Sequence, residues 1–268
     1  MLFEEMHMVV SVAGRRVVAG AVLVLAAACS LDTDPLPTGL DVGAVLSEMT
    51  GALPLQAVLQ LTDGTAAFHP ASIDLSGCNY VAASQAFICS PIATTLDGLT
   101  SVHFTTTRSI SFADLAGHVL ASADAATVAS VHVITTTTGT SEQPGISTKT
   151  FSRVEDLTLS GRTDGTHVID GIAVATSKVE AAISLLNFTT ADTTRFVNLT
   201  LATGTSVVPI AGTVTDDQTR IVTATNVASL THVGLTFDGS TLMGMVRTKD
   251  GTSSSCKINL AAVALQTC

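Results

Sequence analysis

The chain has 268 residues, of which 46% are apolar and 13% are charged, and this balance excludes an intrinsically disordered protein. Its net charge is −10 and its 12 lysine and arginine residues form no basic stripe, which argues against binding to nucleic acid. Aromatic residues make up only 4% of the chain, with Tyr80 as the single tyrosine and no tryptophan. A sugar-binding platform or an aromatic protein-binding hot spot is therefore disfavoured.

The first predicted element is a secretory signal peptide over residues 1–28. Arg15 and Arg16 precede the apolar run VVAGAVLVLAAA, which is too short to cross a bilayer as a helix because that requires about 20 residues. A positive segment, a short apolar segment and small residues at the end are the parts of a signal peptide. Two glutamates in the segment MLFEEMH are unusual for such a peptide, so the start is either Met1 or Met8.

The signal peptide ends in Ala26-Ala27-Ala28-Cys29, which resembles the lipobox of bacterial lipoproteins. The resemblance implies that Cys29 becomes the first residue of the mature protein and that its thiol carries a diacylglycerol, which anchors the protein to a membrane. The usual lipobox has leucine three places before the cysteine, where this chain has Ala26. The alternative is an ordinary Ala-x-Ala cleavage site followed by a cysteine that carries no lipid.

Residues 29–43 are predicted to form a lipidated tether, because they are rich in Pro, Asp, Thr and Gly and show no apolar period. Each buried methylene of an acyl chain contributes about 0.8 kcal/mol, so two or three chains hold a protein firmly at a membrane. In lipoproteins, an aspartate directly after the cysteine often signals retention at the inner membrane. Ser30 occupies that position here, and the resemblance therefore implies an exported protein at the cell envelope, with the outer membrane favoured.

Residues 44–268 are predicted to form one antiparallel β domain. Segments of strand length that are rich in β-branched residues recur along it with short connections: 102–107, 128–138, 147–151, 154–161, 166–176, 195–202, 207–216 and 220–225. Ten or more strands in meander order predict an all-β fold, namely a β-barrel, a half-barrel or a sandwich.

Asp-Gly pairs mark the predicted turns, because the type I′ turn of a hairpin requires positive φ at both central residues. The chain has six of them: Asp63-Gly64, Asp97-Gly98, Asp164-Gly165, Asp170-Gly171, Asp238-Gly239 and Asp250-Gly251. Alternating apolar residues flank the fifth pair, so Thr231 to Gly251 is predicted to be a hairpin.

One or two short helices are predicted beside the strands. Residues 41–53 begin with an N-cap type of residue, and residues 179–188 place apolar residues at helical spacing. Residues 112–131 are rich in alanine and are compatible either with a helix or with a strand and a turn.

Four cysteines remain after Cys29, and an even number in an exported protein predicts two disulfides. The favoured pairs are Cys78–Cys89 and Cys256–Cys268, since each pair flanks one short stretch that can form a hairpin. The alternative, a metal site of four cysteines, requires CxxC-like spacing, which is absent.

No catalytic or cofactor-binding motif occurs in the sequence, so neither catalytic residues nor cofactors are predicted. His103, His132 and His232 each neighbour valines on a predicted strand, so their side chains should lie on the face opposite to those valines. Three such histidines on adjacent strands could bind a metal ion, although three separate solvent-facing residues are the simpler interpretation.

The sequence as a whole predicts a lipid-anchored envelope protein with a binding or structural role, which is favoured over an enzymatic one without excluding it. Its acyl chains would contact the membrane, and its protein or apolar ligand partner is not specified. The first alternative is a carrier of an apolar ligand in a β-barrel cavity. The second is an envelope hydrolase with an unrecognised site.

Overall fold

The computed structural model describes residues 73, 75–123, 127–161, 166–201, 209–240 and 242–259; the predicted signal peptide, the predicted tether and Cys29 lie outside these residues. The described residues form thirteen strands: β1 (Cys78–Val81), β2 (Ala86–Cys89), β3 (Ile92–Leu96), β4 (Ser101–Ala113), β5 (Val119–Leu120), β6 (Ser130–Gln143), β7 (Ser147–Gly161), β8 (His167–Ala181), β9 (Phe188–Leu201), β10 (Pro209–Val222), β11 (Val227–Phe237), β12 (Leu242–Lys249) and β13 (Thr252–Asn259).

All thirteen strands belong to one antiparallel sheet. From β6 to β13 each strand pairs with the next one along the chain, while β4 lies on the other side of β6. Three short strands, β2, β3 and β5, share the remaining edge of β4 at successive positions. Among the described residues, the two ends of the sheet, β1 and β13, do not pair with each other, so the sheet that they form is open. The all-β prediction is confirmed, and an open sheet fits a half-barrel or a sandwich.

The central strands are longer than their sequence patterns predict. β7 unites the predicted strands 147–151 and 154–161, because Ser152 and Arg153 pair with β8 like the residues on either side of them. β10 runs through the polar residues that separate the predicted strands 207–216 and 220–225 in the same way. Polar residues inside a strand looked like breaks in the sequence, but their backbone groups complete the hydrogen bonding of the ladder.

The predicted helix over residues 179–188 is wrong. β8 continues to Ala181, a single 3₁₀ turn follows at Ser184–Leu186, and β9 begins at Phe188. Residues 112–131 adopt the strand-and-turn alternative where they are described, whereas the predicted helix over residues 41–53 lies outside the described residues. Within the described part of the chain, no helix has the length and apolar character needed to cross a membrane.

Three of the six Asp-Gly pairs join neighbouring strands as predicted: Asp97-Gly98, Asp238-Gly239 and Asp250-Gly251. Asp250 and Gly251 have φ of 48° and 84°, as a type I′ turn requires. The predicted hairpin from Thr231 to Gly251 is confirmed by the pairing of β11 with β12. Asp63-Gly64 and Asp164-Gly165 lie outside the described residues.

The prediction of a turn at Asp170-Gly171 is wrong, since this pair lies inside β8 at a break in its register with β9. Gly171 has φ of 143°, and a Cβ atom there would clash with the backbone of Asp156. The Asp170 carboxylate accepts a 2.6 Å hydrogen bond from the backbone N–H of Asn198 on β9. The pair therefore makes a β-bulge, where the extra residue increases the local bend of the strand.

A disulfide joins Cys78 to Cys89 and confirms the first predicted pair. The two cysteines lie opposite each other at the open end of the β1–β2 hairpin. The second predicted pair lies outside the described residues, because the structure describes neither Cys268 nor the side chain of Cys256.

The apolar core covers one half of one face of the sheet, which we call the inner face. It is formed where β4, β7, β9 and β11 end and where β6, β8, β10 and β12 begin, because antiparallel strands bring these halves to the same side. Ile73 and Val128 join it from outside the strands. The buried strand residues are Ile110, Phe112, Val131, Val133, Leu157, Leu159, Ile169, Phe196, Leu199, Leu201, Val214, Val233, Leu235, Met243 and Met245.

Candidate functional site

The other half of the inner face is polar and charged, and we call it the inner polar layer. Its members point to the same face as the core residues, because every second residue of a strand lies on one face. On β7, for example, Arg153 and Glu155 share a face with the core residue Leu157. They come from β4, β7, β9, β10 and β12: Arg108, Lys149, Arg153, Glu155, Asp192, Asp216, Gln218, Arg220, Arg247 and Lys249.

The charge of the inner polar layer opposes the charge of the whole chain. Six of the 12 lysine and arginine residues of the chain lie in it, together with three carboxylates, whereas the chain carries a net charge of −10. Polar groups that leave water require hydrogen-bonding or charged partners. Which charged groups of the layer have partners within the protein therefore indicates what the face can bind.

One ion pair lies within the layer, between two residues of β7. The Nε atom of Arg153 lies 2.6 Å from Oε1 of Glu155, and both side chains are largely buried. Residues two apart on one strand share a face, so β7 itself holds the pair together. Asp156 faces the other way, because adjacent residues of a strand point to opposite faces of the sheet.

Two carboxylates, Asp192 on β9 and Asp216 on β10, lie diagonally across neighbouring strands of the layer. Burial raises the pKa of Asp192 to about 6, a hydrogen bond from Gln218 opposes this shift, and the charge of Asp216 adds to it. Burial also raises the pKa of Asp216, although its carboxylate accepts a 2.7 Å hydrogen bond from the hydroxyl of Thr194. Both groups therefore hold their protons to higher pH than exposed aspartates do.

A cavity of about 400 Å³ lies on the inner face over β9 to β12. The 3₁₀ turn between β8 and β9 forms one wall, and the four strands form the floor. Apolar and cationic side chains line it together: Leu185, Leu186, Phe188, Val222 and Val227, then Arg220, Arg247 and Lys249, with Gln218, Ser229 and Thr231 between them.

The strands that form the floor of the cavity position its basic residues. The guanidinium of Arg220 lies 4.1 Å from the centre of the Phe188 ring, which fixes it over the β9–β10 pair. Nε of Arg247 is buried and has no hydrogen-bond acceptor among the described residues. Strand pairing places Arg247 beside Val233 and Lys249 beside Thr231, so both basic residues of β12 belong to the same face.

The three histidines considered as metal ligands lie on the outer face, as predicted, but the structure does not bring them together. His132 pairs with Ser111 and His103 with Thr140, so they lie far apart along β4 and β6, and His232 lies on β11. Among the described residues, no group of three His, Cys, Asp or Glu side chains could hold a metal ion.

Each of these histidines has a neighbour of its own. His132 forms a 2.6 Å hydrogen bond with Asp156, and His232 forms a 2.7 Å hydrogen bond with Asp217. His103 lies 3.2 Å from the hydroxyl of Thr95. These contacts link neighbouring strands on the outer face.

Sequence reasoning missed the inner polar layer, although a signal for it exists. In β10, Val214, Asp216, Gln218, Arg220 and Val222 have the same parity, so an inward apolar pattern is interrupted by three polar residues. Such a run indicates a strand that is apolar at one end of its inner face and polar at the other. The sequence does not reveal that the polar segments of β7, β9, β10 and β12 meet, because that depends on their register.

Comparison with models of known protein families, with curated proteins and with solved structures finds no significant match.

Proposed function

We propose that the protein is a bacterial lipoprotein of the cell envelope that binds a ligand on the inner face of its sheet. The cavity over β9 to β12 carries the binding part of this proposal. Its volume lies within the range of small-molecule sites, and its lining combines apolar side chains with a few charged groups, as such sites do.

Residues 15–29 carry the anchoring part of the proposal. A positive segment, an apolar segment and the sequence Ala26 to Cys29 follow the order of a lipoprotein signal peptide. The Cys78–Cys89 disulfide supports export, because disulfides persist in oxidising compartments and are rare where thiols are kept reduced.

The cavity also favours the carrier among the alternative functions. Because the sheet is open, the ligand would rest on an exposed face and not inside a closed barrel. No feature of the described residues favours the hydrolase, which we do not propose.

Replacing Cys29 with serine tests the anchor. We expect Cys29→Ser to abolish incorporation of labelled palmitate and to move the protein from the membrane fraction to the soluble fraction or leave it unprocessed, because serine has no thiol to acylate. Labelling and fractionation of cells, with mass spectrometry of the mature N-terminus, measure this. The matched control is Ser30→Ala, which keeps the thiol and should remain labelled and membrane-bound. Processed Cys29→Ser protein that stays in the membrane would contradict the anchor.

A further inference from the structure

We propose that the ligand of the inner-face cavity is an anionic amphiphile, a molecule with one acidic head group and a single apolar chain. This inference rests on the binding function proposed above and names the class of ligand for the same cavity.

The charges of the lining select an anionic head group. Arg220, Arg247 and Lys249 all line the cavity, and none of its lining residues is acidic. The site is therefore positive although the chain has a net charge of −10. Guanidinium groups suit carboxylate and phosphate oxygens, because their planar set of donors can form two parallel hydrogen bonds.

Arg247 points to the same conclusion through its hydrogen bonding. Its Nε atom is buried without an acceptor among the described residues. A buried donor without an acceptor is costly, so an oxygen supplied by a ligand would bind there favourably. A neutral hydrocarbon offers no such oxygen.

The opposite end of the cavity selects an apolar chain. Val222 on β10 pairs with Phe188 on β9 and with Val227 on β11, at the end of the sheet that is remote from the core. Leu185 and Leu186 of the 3₁₀ turn lie beside them, and Leu185 is 68% exposed. Apolar side chains left in contact with water at a cavity mark a site for an apolar partner.

The order of these groups along the strands gives the ligand its orientation. On β10, Arg220 lies two residues closer to the core than Val222, and Arg247 on β12 lies in a row closer still. The head group would therefore point toward the core and the chain would leave over the apolar end. A volume of about 400 Å³ suits a ligand with one chain.

Photolabelling of the full-length protein in phosphatidylcholine vesicles tests this inference. The probe is dodecanoic acid with a diazirine near its terminal carbon, and mass spectrometry locates the label. We expect saturable labelling of residues 183–188 and 222–227, because the reactive end of the probe would lie there. Label that is spread over the outer face would overturn the inference.

Competitors separate the contributions of charge and chain. Decanoate and decyl phosphate should displace the probe at concentrations at least about ten-fold lower than decyltrimethylammonium, because only the anions pair with the three cations. Inorganic phosphate should displace the probe poorly, since it lacks the chain. Equal displacement by the cationic amphiphile, or displacement by phosphate as strong as by decanoate, would overturn the inference.

Two variants and a matched control complete the test. Arg220→Gln/Arg247→Gln and, independently, Lys249→Gln should weaken probe binding about ten-fold and three-fold respectively, with circular dichroism confirming the sheet. The control Lys178→Gln removes a cation on the outer face that is paired with Glu180 and should bind normally. Normal binding by both cavity variants would overturn the inference. If these binding tests fail while Cys29→Ser is still released from the membrane, the ligand class is rejected and the lipid anchor remains supported.

Discussion

At the scale of single residues, the inner polar layer places an aspartate where its charge is costly. Burial raises the pKa of Asp192 from 3.8 to about 6, and the nearby Asp216 carboxylate adds to this effect. Lys149 and Arg153 oppose the shift without cancelling it. The folded protein therefore binds a proton at Asp192 that the unfolded chain releases at lower pH.

This difference predicts how stability changes with pH. Between about pH 4 and pH 6 the folded state holds more protons at Asp192 than the unfolded state, so the free energy of unfolding falls as the pH rises. Asp192→Asn removes this dependence. Relative to wild type, the variant should gain up to about 3 kcal/mol between pH 4 and pH 7, since one pKa unit corresponds to about 1.4 kcal/mol.

Urea unfolding followed by circular dichroism at pH 4, 5, 6 and 7 measures this gain. The control Asp97→Asn changes an exposed aspartate in the β3–β4 turn and should leave the wild-type pH dependence in place. Parallel stability curves for wild type and Asp192→Asn would show that burial at this position does not perturb the carboxyl group.

At the scale of elements, irregularities in β8, β9 and β10 line up across the sheet. Gly171 and Gly212 have positive φ at breaks in register, and Asn198, with φ of 49°, lies between them on β9. A Cβ atom on Gly212 would clash with the backbone of Asn198, as one on Gly171 would with Asp156. These bulges lie on the core side of the inner polar layer and help bend the sheet there.

Alanine at either bulge should therefore destabilise the protein. We expect Gly171→Ala and Gly212→Ala each to lower the free energy of unfolding by at least about 2 kcal/mol, because backbone strain at positive φ adds to overpacking. Chemical denaturation measures the loss. The control is Gly145→Ala in the β6–β7 turn, which also has positive φ but has open space around its Cβ position, and it should cost about 1 kcal/mol. An equal loss of unfolding free energy at all three glycines would mean that the close approach of the strands does not add to the cost of an alanine at Gly171 or Gly212.

Strand existence was predictable from the sequence, whereas strand extent was not. The alternation of β-branched residues located the strands from β4 to β12 apart from the short β5, and Asp250-Gly251 located a turn. The failure at residues 179–188 has a physical cause: Val179 and Phe188 pair in the ladder between β8 and β9, whose backbone hydrogen bonds outnumber those of a short helix. Ile183 and Leu186, which share the helical spacing with Val179, lie exposed in the connection between the two strands.

At the scale of the whole molecule, charge is separated between the inner face and the rest of the chain. The inner polar layer gathers six basic residues within a chain of net charge −10. An anionic ligand therefore meets a positive site on an otherwise negative protein, which favours that site over the remaining surface. The proposed tether would hold this site at the membrane surface, close to amphiphiles of the envelope.

The residue after Cys29 should decide which membrane carries the whole protein. In a host with two membranes, we expect Ser30→Asp to shift the protein from the outer-membrane to the inner-membrane fraction, because aspartate at this position resembles the retention signal of lipoproteins. Separation of the membranes on a sucrose gradient measures the shift. Ser30→Asn, which has similar size and no charge, should keep the wild-type distribution. An unchanged distribution of Ser30→Asp would contradict the predicted sorting.

The sequence by itself determined the all-β class, most strand positions, three Asp-Gly turns and the Cys78–Cys89 disulfide, because these depend on side-chain alternation, turn chemistry and short separations along the chain. It also determined that His103, His132 and His232 share the face opposite to the core. Only the tertiary structure decided that they lie apart, that the sheet is open, and that Arg220, Arg247 and Lys249 line one cavity. These features depend on the register between strands, and register is set by packing over the whole sheet and by its bulges.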